Sequence, residues 1–149
     1  MTTLRRAHAD DVAAVERVAL AAYTPYLPRM DGQRPGPLDA DYARAVADDE
    51  TWVALEGDEV VGYLVLVPEG TTLLLDNVAV LPSHHGRGVG RALLALAEER
   101  ADAHGCSRVR LYTHASMVEN QRLYEHLGYV ETHRATDAGL ARVFYAKDV

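Results

Sequence analysis

The sequence predicts an α/β chain of the α+β kind, with a mostly antiparallel sheet of about six or seven strands and about four helices. Three observations carry this reading. Three consecutive stretches between residues 51 and 80 are rich in Val, Leu, Thr and aromatics and are joined by short turns. A glycine-rich turn then opens into a long amphipathic segment. Two further strand-like stretches close the chain after a second helical segment. The 149 residues suit one domain, 1–149.

Thr3 to Ala7 reads as a first strand. Asp10 or Asp11 is placed to cap a helix by accepting from its free N–H groups, and Val12, Val15, Val18, Ala19 and Ala22 recur at helical spacing after it. Pro25 and Pro28 end that helix near Tyr23. The tract Thr24 to Asp39 holds four prolines and two glycines, too broken for a long helix, and is expected to form a loop over a site. Asp39 to Ala47 reads as a short helix with Tyr42 and Val46 on one face. Thr51–Glu56, Glu59–Val67 and Thr72–Val80 form the meander, turning at Gly57-Asp58 and Pro68-Glu69-Gly70. Gly88 to His104 is a helix with Leu93, Leu96, Ala97 and Ala101 inward and Gly105 as its C-terminal cap. Arg108–Thr113 is a strand, Val118–Leu127 a helix, and Tyr129–Thr136 with Ala141–Lys147 the final strand pair.

Composition narrows the class. The chain is 48% hydrophobic and 25% charged, ordinary for a globular protein. Cys106 is its one cysteine, which excludes a disulfide scaffold and reads as structural. No apolar run approaches the roughly 20 residues of a membrane span. Met1 to His8 lacks an apolar signal core, so a cytoplasmic protein is expected. The net charge of −7 argues against nucleic acid as a partner. That excess lies entirely in residues 1–75, with 6 Lys or Arg against 13 Asp or Glu, whereas residues 76–149 carry 9 of each. The seven histidines show no metal-ligand spacing, and His84 and His85, being adjacent, point in different directions. No metal is expected.

The segment Leu81–Leu94, LPSHHGRGVGRALL, lies between a strand and a helix. A helix N-terminus leaves about four N–H groups unpaired, and these with the dipole favour a phosphate. Gly86, Gly88 and Gly90 let the backbone approach closely, while Arg87 and Arg91 add charge-assisted donors. A P-loop is excluded because Gly90 is followed by Arg91 and Ala92. A dinucleotide fingerprint is excluded by the G-x-G-x-G spacing and by the preceding meander. A plain helix cap competes with pyrophosphate binding, and the two arginines favour the latter.

VAVLPSHHGRGVGRALL (78–94) resembles the acetyl-CoA signature of the GNAT N-acetyltransferases, and ENQRLYEHLGYVE (119–131) resembles the family's later helix-turn-strand element. Element order matches over roughly the whole chain. The specific motifs cover 74–131, and the first 50 residues match only loosely. His85 stands where the family usually has Gln or Arg, and Met117 where it often has Asn. Asn120, one turn before Tyr124, is placed to take over part of that role. The resemblance implies a GNAT-like mixed, mostly antiparallel central sheet, splayed at an acetyl-CoA cleft. It implies cofactor contacts from Val78, Ala79, Val80, His85, Gly86, Arg87, Gly88, Val89, Gly90, Arg91, Asn120 and Tyr124. The Val80 N–H would hold the thioester carbonyl and its oxyanion.

Other roles have paired readings. Tyr124 is either the general acid for the CoA thiolate or an aromatic packing its helix on the sheet. Asp76, which shares strand parity with Val78 and Val80, is either the base that deprotonates the amine or a solvated strand residue, with Glu119 a weaker base. His114 reads as a loop residue that could shuttle protons. Tyr23, Tyr26, Arg29, Met30, Arg34 and Tyr42 are the candidates for acceptor binding, or else cover the core and a dimer contact. The expected activity is acetyl transfer from acetyl-CoA, with no metal, to a primary amine of a small molecule or peptide. Direct attack in a ternary complex is expected, because no activated Cys or Ser is evident. Two alternatives are a non-catalytic acyl-CoA sensing module and an interaction domain using the meander edge, and a homodimer is common in the resembled family. The acidic first half favours a cationic acceptor by steering.

Overall fold

The computed structural model describes residues 2–137 and 139–149. The chain runs β1 (Thr2–Arg6), α1 (Val12–Tyr23), α2 (Tyr42–Asp48), β2 (Glu50–Glu56), β3 (Glu59–Glu69), β4 (Thr72–Val80), α3 (Val89–Ala103), β5 (Arg108–His114), α4 (Val118–His126), β6 (Val130–Asp137) and β7 (Leu140–Asp148). Seven strands form one open sheet in the order β1-β2-β3-β4-β5-β7-β6. Every neighbour is antiparallel except β4 and β5. Helices cover both faces. The α3 stripe of Leu93, Leu96, Ala97 and Ala101 packs with Leu64, Leu66 and Leu111 on one face. Val15, Val18 and Ala19 of α1 pack with Val53, Tyr63 and Val65 on the other. No helix of the described residues is long and apolar enough to cross a membrane.

Local departures from the sequence expectations have physical reasons. Asp11 does not cap α1; its carboxylate accepts from the His8 N–H at 2.7 Å and pairs with Arg5, also at 2.7 Å. The Arg5 hydrogen bonds hold its pKa below the usual value. On α2 the inward face is Tyr42 and Ala45, with Asp41 as the N-cap accepting from Arg44 N–H at 3.0 Å. Val46 is only half-buried. The proline-rich tract folds into two short 3₁₀ turns, Thr24–Arg29 and Gly36–Leu38. It is tied by the Tyr42 hydroxyl, which donates to the Pro37 carbonyl at 2.7 Å, and by a Gln33 amide bond to the Gly139 carbonyl.

A bulge in β4 changes what that strand presents. Asn77 faces Val65 while Leu75 faces Leu66, so Asp76 has no partner across the ladder. Side-chain alternation is reset there. Leu73 and Leu75 pack beneath α3, and beyond the bulge Val78 and Val80 pack there as well. Asn77 turns to the α1 face, where the Tyr63 hydroxyl donates to its Oδ1 at 3.1 Å and the Tyr23 oxygen lies 3.3 Å away. The simple parity that would align Asp76 with Val78 and Val80 is therefore broken.

The sheet opens between β4 and β5. They pair only through Thr72–Leu74 and Arg108–Arg110. Beyond, β4 runs to Val80 against β3 and β5 to His114 against β7, leaving a wedge between them. The Leu81 N–H donates to the Val61 carbonyl at 2.8 Å. Bonded and unbonded pairs alternate along an antiparallel ladder. Val80, opposite Gly62, and Val78, opposite Leu64, thus occupy unbonded positions and turn their N–H and C=O groups into the wedge.

Two features hold α3 on the sheet. A Cβ on Gly62 would meet the Ala79 carbonyl at 3.0 Å and Leu93 Cδ1 at 3.2 Å, so the absent methyl group is what lets α3 seat closely. At the other end, buried Glu50 accepts from Arg100 Nε at 2.6 Å, His104 Nε2 at 2.7 Å and Trp52 Nε1 at 2.9 Å. Burial pushes the Glu50 pKa up, but these donors outweigh it and hold it down at about 2. Gly62→Ala should cost about 2 kcal/mol of stability in urea unfolding, as overpacked cores do. Glu50→Gln should cost about 2 kcal/mol at neutral pH, the scale of hydrogen bonds to a charged group. Because the folded pKa lies below the unfolded one, that contribution is full above about pH 4.5 and fades as pH falls toward 2. The two proteins should therefore converge in stability at acid pH.

Candidate active site

The wedge leads to two cavities that meet. The first, about 420 Å³, lies over the start of α3. Gly86 and Gly88 adopt left-handed φ of 79° and 83°, which non-glycine residues rarely do. The helical ladder begins with Ala92 N–H donating to the Gly88 carbonyl at 3.0 Å. The N–H groups of Gly88, Val89, Gly90 and Arg91 are thus left without helical partners, and all four residues line this cavity. Val78, Ala79, Val80, His85, Asn120 and Tyr124 line it too. Its donors suit a phosphate-bearing ligand, and the open edge of β4 suits an extended one that pairs like a strand.

Two loop residues depart from expectation. The Arg87 side chain does not line the cavity. It pairs with Glu56, at the end of β2, at 3.3 Å. His85 places Nε2 3.1 Å from the Val80 carbonyl. A carbonyl only accepts, so His85 carries a proton on Nε2 and spends it on stitching the loop to β4. His84 also lines the cavity, with its Nε2 3.3 Å from a Glu56 carboxylate oxygen.

The second cavity, about 210 Å³, opens on the α1 face of the wedge. Val78, Asn120 and Tyr124 line both cavities and mark their junction. The Tyr124 ring is buried, edge-on to Tyr129 and tilted against Tyr145, each at 6.0 Å. Burial, and secondarily Tyr26, push its pKa well above that of a free phenol, so the hydroxyl stays protonated. Asp76 stands at the rim of the second cavity. Partial burial, reinforced by nearby Asp49, raises its pKa, so its charged form is less favoured than in water.

The expected acceptor residues divide. Tyr23 and Met30 line the second cavity. Tyr23 also donates to the Val78 carbonyl at 2.9 Å. Tyr26 lines the first cavity instead, beneath the Arg29 guanidinium 5.0 Å from its ring. Arg29 itself bonds Glu119 at 2.8 Å, and Arg34 bonds Asp39 at 3.2 Å, so both lie outside the cavities. The Arg29 hydrogen bond lowers the Glu119 pKa, which makes that carboxylate a poor base. Tyr42 is buried behind the wall, its hydroxyl 2.9 Å from that of Tyr63, and supports the lining without touching it. Burial, and then the Arg142 charge, lower the His114 pKa, keeping it neutral at neutral pH. Cys106 is buried, its Sγ 3.7 Å from the Gly70 carbonyl. Among the described residues no cluster of three metal-ligating side chains forms.

Sequence reasoning missed Tyr112 and Arg142, which complete the second cavity. Both sit in strands of ordinary alternation, and only the pairing of β5 with β7 brings them together.

Residues 16–129 match the model of the acetyltransferase (GNAT) family. The mycothiol acetyltransferase of Beutenbergia cavernae is 34% identical over 94 residues, covering 56% of this chain and 32% of that protein. An uncharacterized N-acetyltransferase, YvbK of Bacillus subtilis, is 30% identical over 98 residues, 62% of this chain and 63% of that one. The chain thus spans about a third of the first relative and under two thirds of the second. In structure it resembles the PaiA N-acetyltransferase of Thermoplasma acidophilum, solved with coenzyme A, at a TM-score of 0.83 and 16% identity, covering 100% of this chain and 99% of that one. That likeness agrees with the fold described above, and the family match over most of the sequence carries the assignment: this chain belongs to the GNAT acetyltransferase family.

Proposed function

We propose that the protein transfers the acetyl group of acetyl-CoA to a primary amine by direct attack within a ternary complex. The observation that carries this reading is the meeting of two cavities at Val78, Asn120 and Tyr124, beside the unbonded backbone of Val80. The first cavity takes the cofactor: the pyrophosphate lies on the N–H groups of Gly88 to Arg91, and the pantetheine arm pairs along β4. The second takes the acceptor.

The chemistry follows from these placements. The Val80 N–H donates to the thioester carbonyl and stabilises the oxyanion. Asp76, directly or through water, accepts a proton from the incoming ammonium. The free amine attacks the carbonyl carbon and a C–N bond forms; the C–S bond breaks as the nitrogen gives its second proton to water, leaving the neutral amide. Tyr124 gives its proton to the departing sulfur and regains one from solvent. The raised pKa of Tyr124 keeps it an acid across the working range, and the raised pKa of Asp76 makes it a stronger base than an unperturbed carboxylate.

Tyr124→Phe should lower kcat about a hundredfold with acetyl-CoA affinity little changed, and an unchanged kcat would remove the general-acid role. Gly88→Val forces a β-branched residue to a φ of 83° and should weaken acetyl-CoA binding about tenfold in calorimetry. Asp76→Asn should depress kcat/KM and abolish its acid limb, which in the wild type lies above the ordinary carboxylate range of about 4. Tight acetyl-CoA binding with no CoA release across a broad amine panel would instead indicate an acyl-CoA binding module.

A further inference from the structure

We propose that the acceptor is a compact zwitterion, an amine that also carries a carboxylate, held between Asp76 and Arg142 as an α-amino acid would be. This rests on the transferase reading above and names the substrate class of the same site. Among the described residues lining the second cavity, Asp76 is the one acid and Arg142 the one permanent cation. The Arg142 guanidinium lies 4.5 Å from the centroid of Tyr112, and the Tyr112 hydroxyl feels both charges, Asp76 raising its pKa and Arg142 lowering it beneath the larger rise from burial. The amine end belongs to Asp76, which is two residues from Val78 at the junction with the cofactor cavity. The carboxylate end belongs to Arg142.

Arg142 is poised for this. Its side chain is 17% exposed, and among the described residues its one ion pair uses Nη1 to the Asp137 carboxylate at 2.5 Å. A guanidinium has five donors in a planar fork, so the remaining edge can take a second carboxylate. The same lining adds apolar surface from Met30, Leu111 and Leu140 and polar groups from Tyr112, Thr113 and His114. The volume, about 210 Å³, equals on the order of seven waters at about 30 Å³ each, which is room for an amino acid. A plain amine would satisfy Asp76 and leave the Arg142 edge without an anion from the ligand. The steering expected from the acidic first half of the chain then acts on the amine end alone.

Acetylation also alters the fit. The ammonium that Asp76 holds becomes a neutral amide after losing its protons, while the carboxylate is unchanged. The product therefore loses one of its two charged anchors, which favours release.

The test compares steady-state acetyl transfer to glycine, leucine, methionine and phenylalanine with transfer to the matching decarboxylated amines and methyl esters. At least one free amino acid should exceed both its amine and its ester by tenfold or more in kcat/KM. Arg142→Met should erase that preference through KM, with kcat and acetyl-CoA binding in calorimetry retained, and Arg142→Lys should restore part of it. Asp137→Asn frees the guanidinium and should lower KM for the amino acid. If Arg142 only fastened β6 to β7, Asp137→Asn and Arg142→Met would act alike, and that result would overturn the proposal. Amines or esters acetylated as well as the amino acids would overturn it while leaving the transferase reading intact. Acetyl-CoA binding without transfer to any compound would remove both.

Discussion

Everything distinctive about this protein depends on the parting of β4 from β5. Three residue pairs hold them in parallel, and then each strand leaves with a different antiparallel partner. The unsatisfied backbone edge this creates is ordinarily a cost, because buried N–H and C=O groups need partners. Here the edge lies beside a helix N-terminus that also has unpaired donors. One topological choice thus supplies an extended slot and an anion cradle in the same place. The helices on the two faces set the slot's dimensions, and α3 and α4 also bring their own residues to it.

The bulge at Asp76 is the second determinant. Without it, β4 would continue its alternation, and the residues that now pack beneath α3 at Val78 and Val80 would turn to the opposite face. The bulge is held from behind by a buried polar group: Asn77 accepts from Tyr63 at its oxygen, with the Tyr23 hydroxyl packed beside it, and donates through its Nδ2 to the Tyr42 hydroxyl at 2.8 Å. A network satisfied on every side rigidifies its surroundings. Tyr42 then reaches the Pro37 carbonyl, so the same network fixes the proline-rich wall of the second cavity. Strand register and cavity wall are thereby set by one cluster of three tyrosines and an asparagine.

What the sequence conveyed follows from how local each signal is. The meander, the glycine turn and the α3 stripe are written in short-range periodicity, and they lie close to where the spacing put them. That Val78 to Val80 and His85, Gly86, Gly88, Val89, Gly90 and Arg91 line one cavity was legible because a strand, a turn and a helix start are contiguous in the chain. Arg87 escaped because its choice between a ligand and Glu56 depends on where β2 ends. Asp76 was placed on the wrong parity because a bulge leaves no mark in a stretch such as TLLLDNVAV. Tyr112 and Arg142 needed the β5–β7 register, a long-range pairing that no window of residues contains. Tyr42 was counted as an acceptor residue because an exposed tyrosine and a buried one look alike in sequence.

The two carbonyls on the open edge have a further consequence. Tyr23 occupies the one at Val78 and His85 the one at Val80. The edge therefore shows N–H donors at those positions with their acceptors already taken. A bare strand edge offers both in alternation and invites a strand from another molecule, which is the usual route to edge-to-edge aggregation. An edge of donors alone is a poor template for a polypeptide, and a good one for a ligand that brings carbonyl oxygens. A hydroxyl and an imidazole thus let this protein keep a permanently open sheet without the stickiness that openness ordinarily entails.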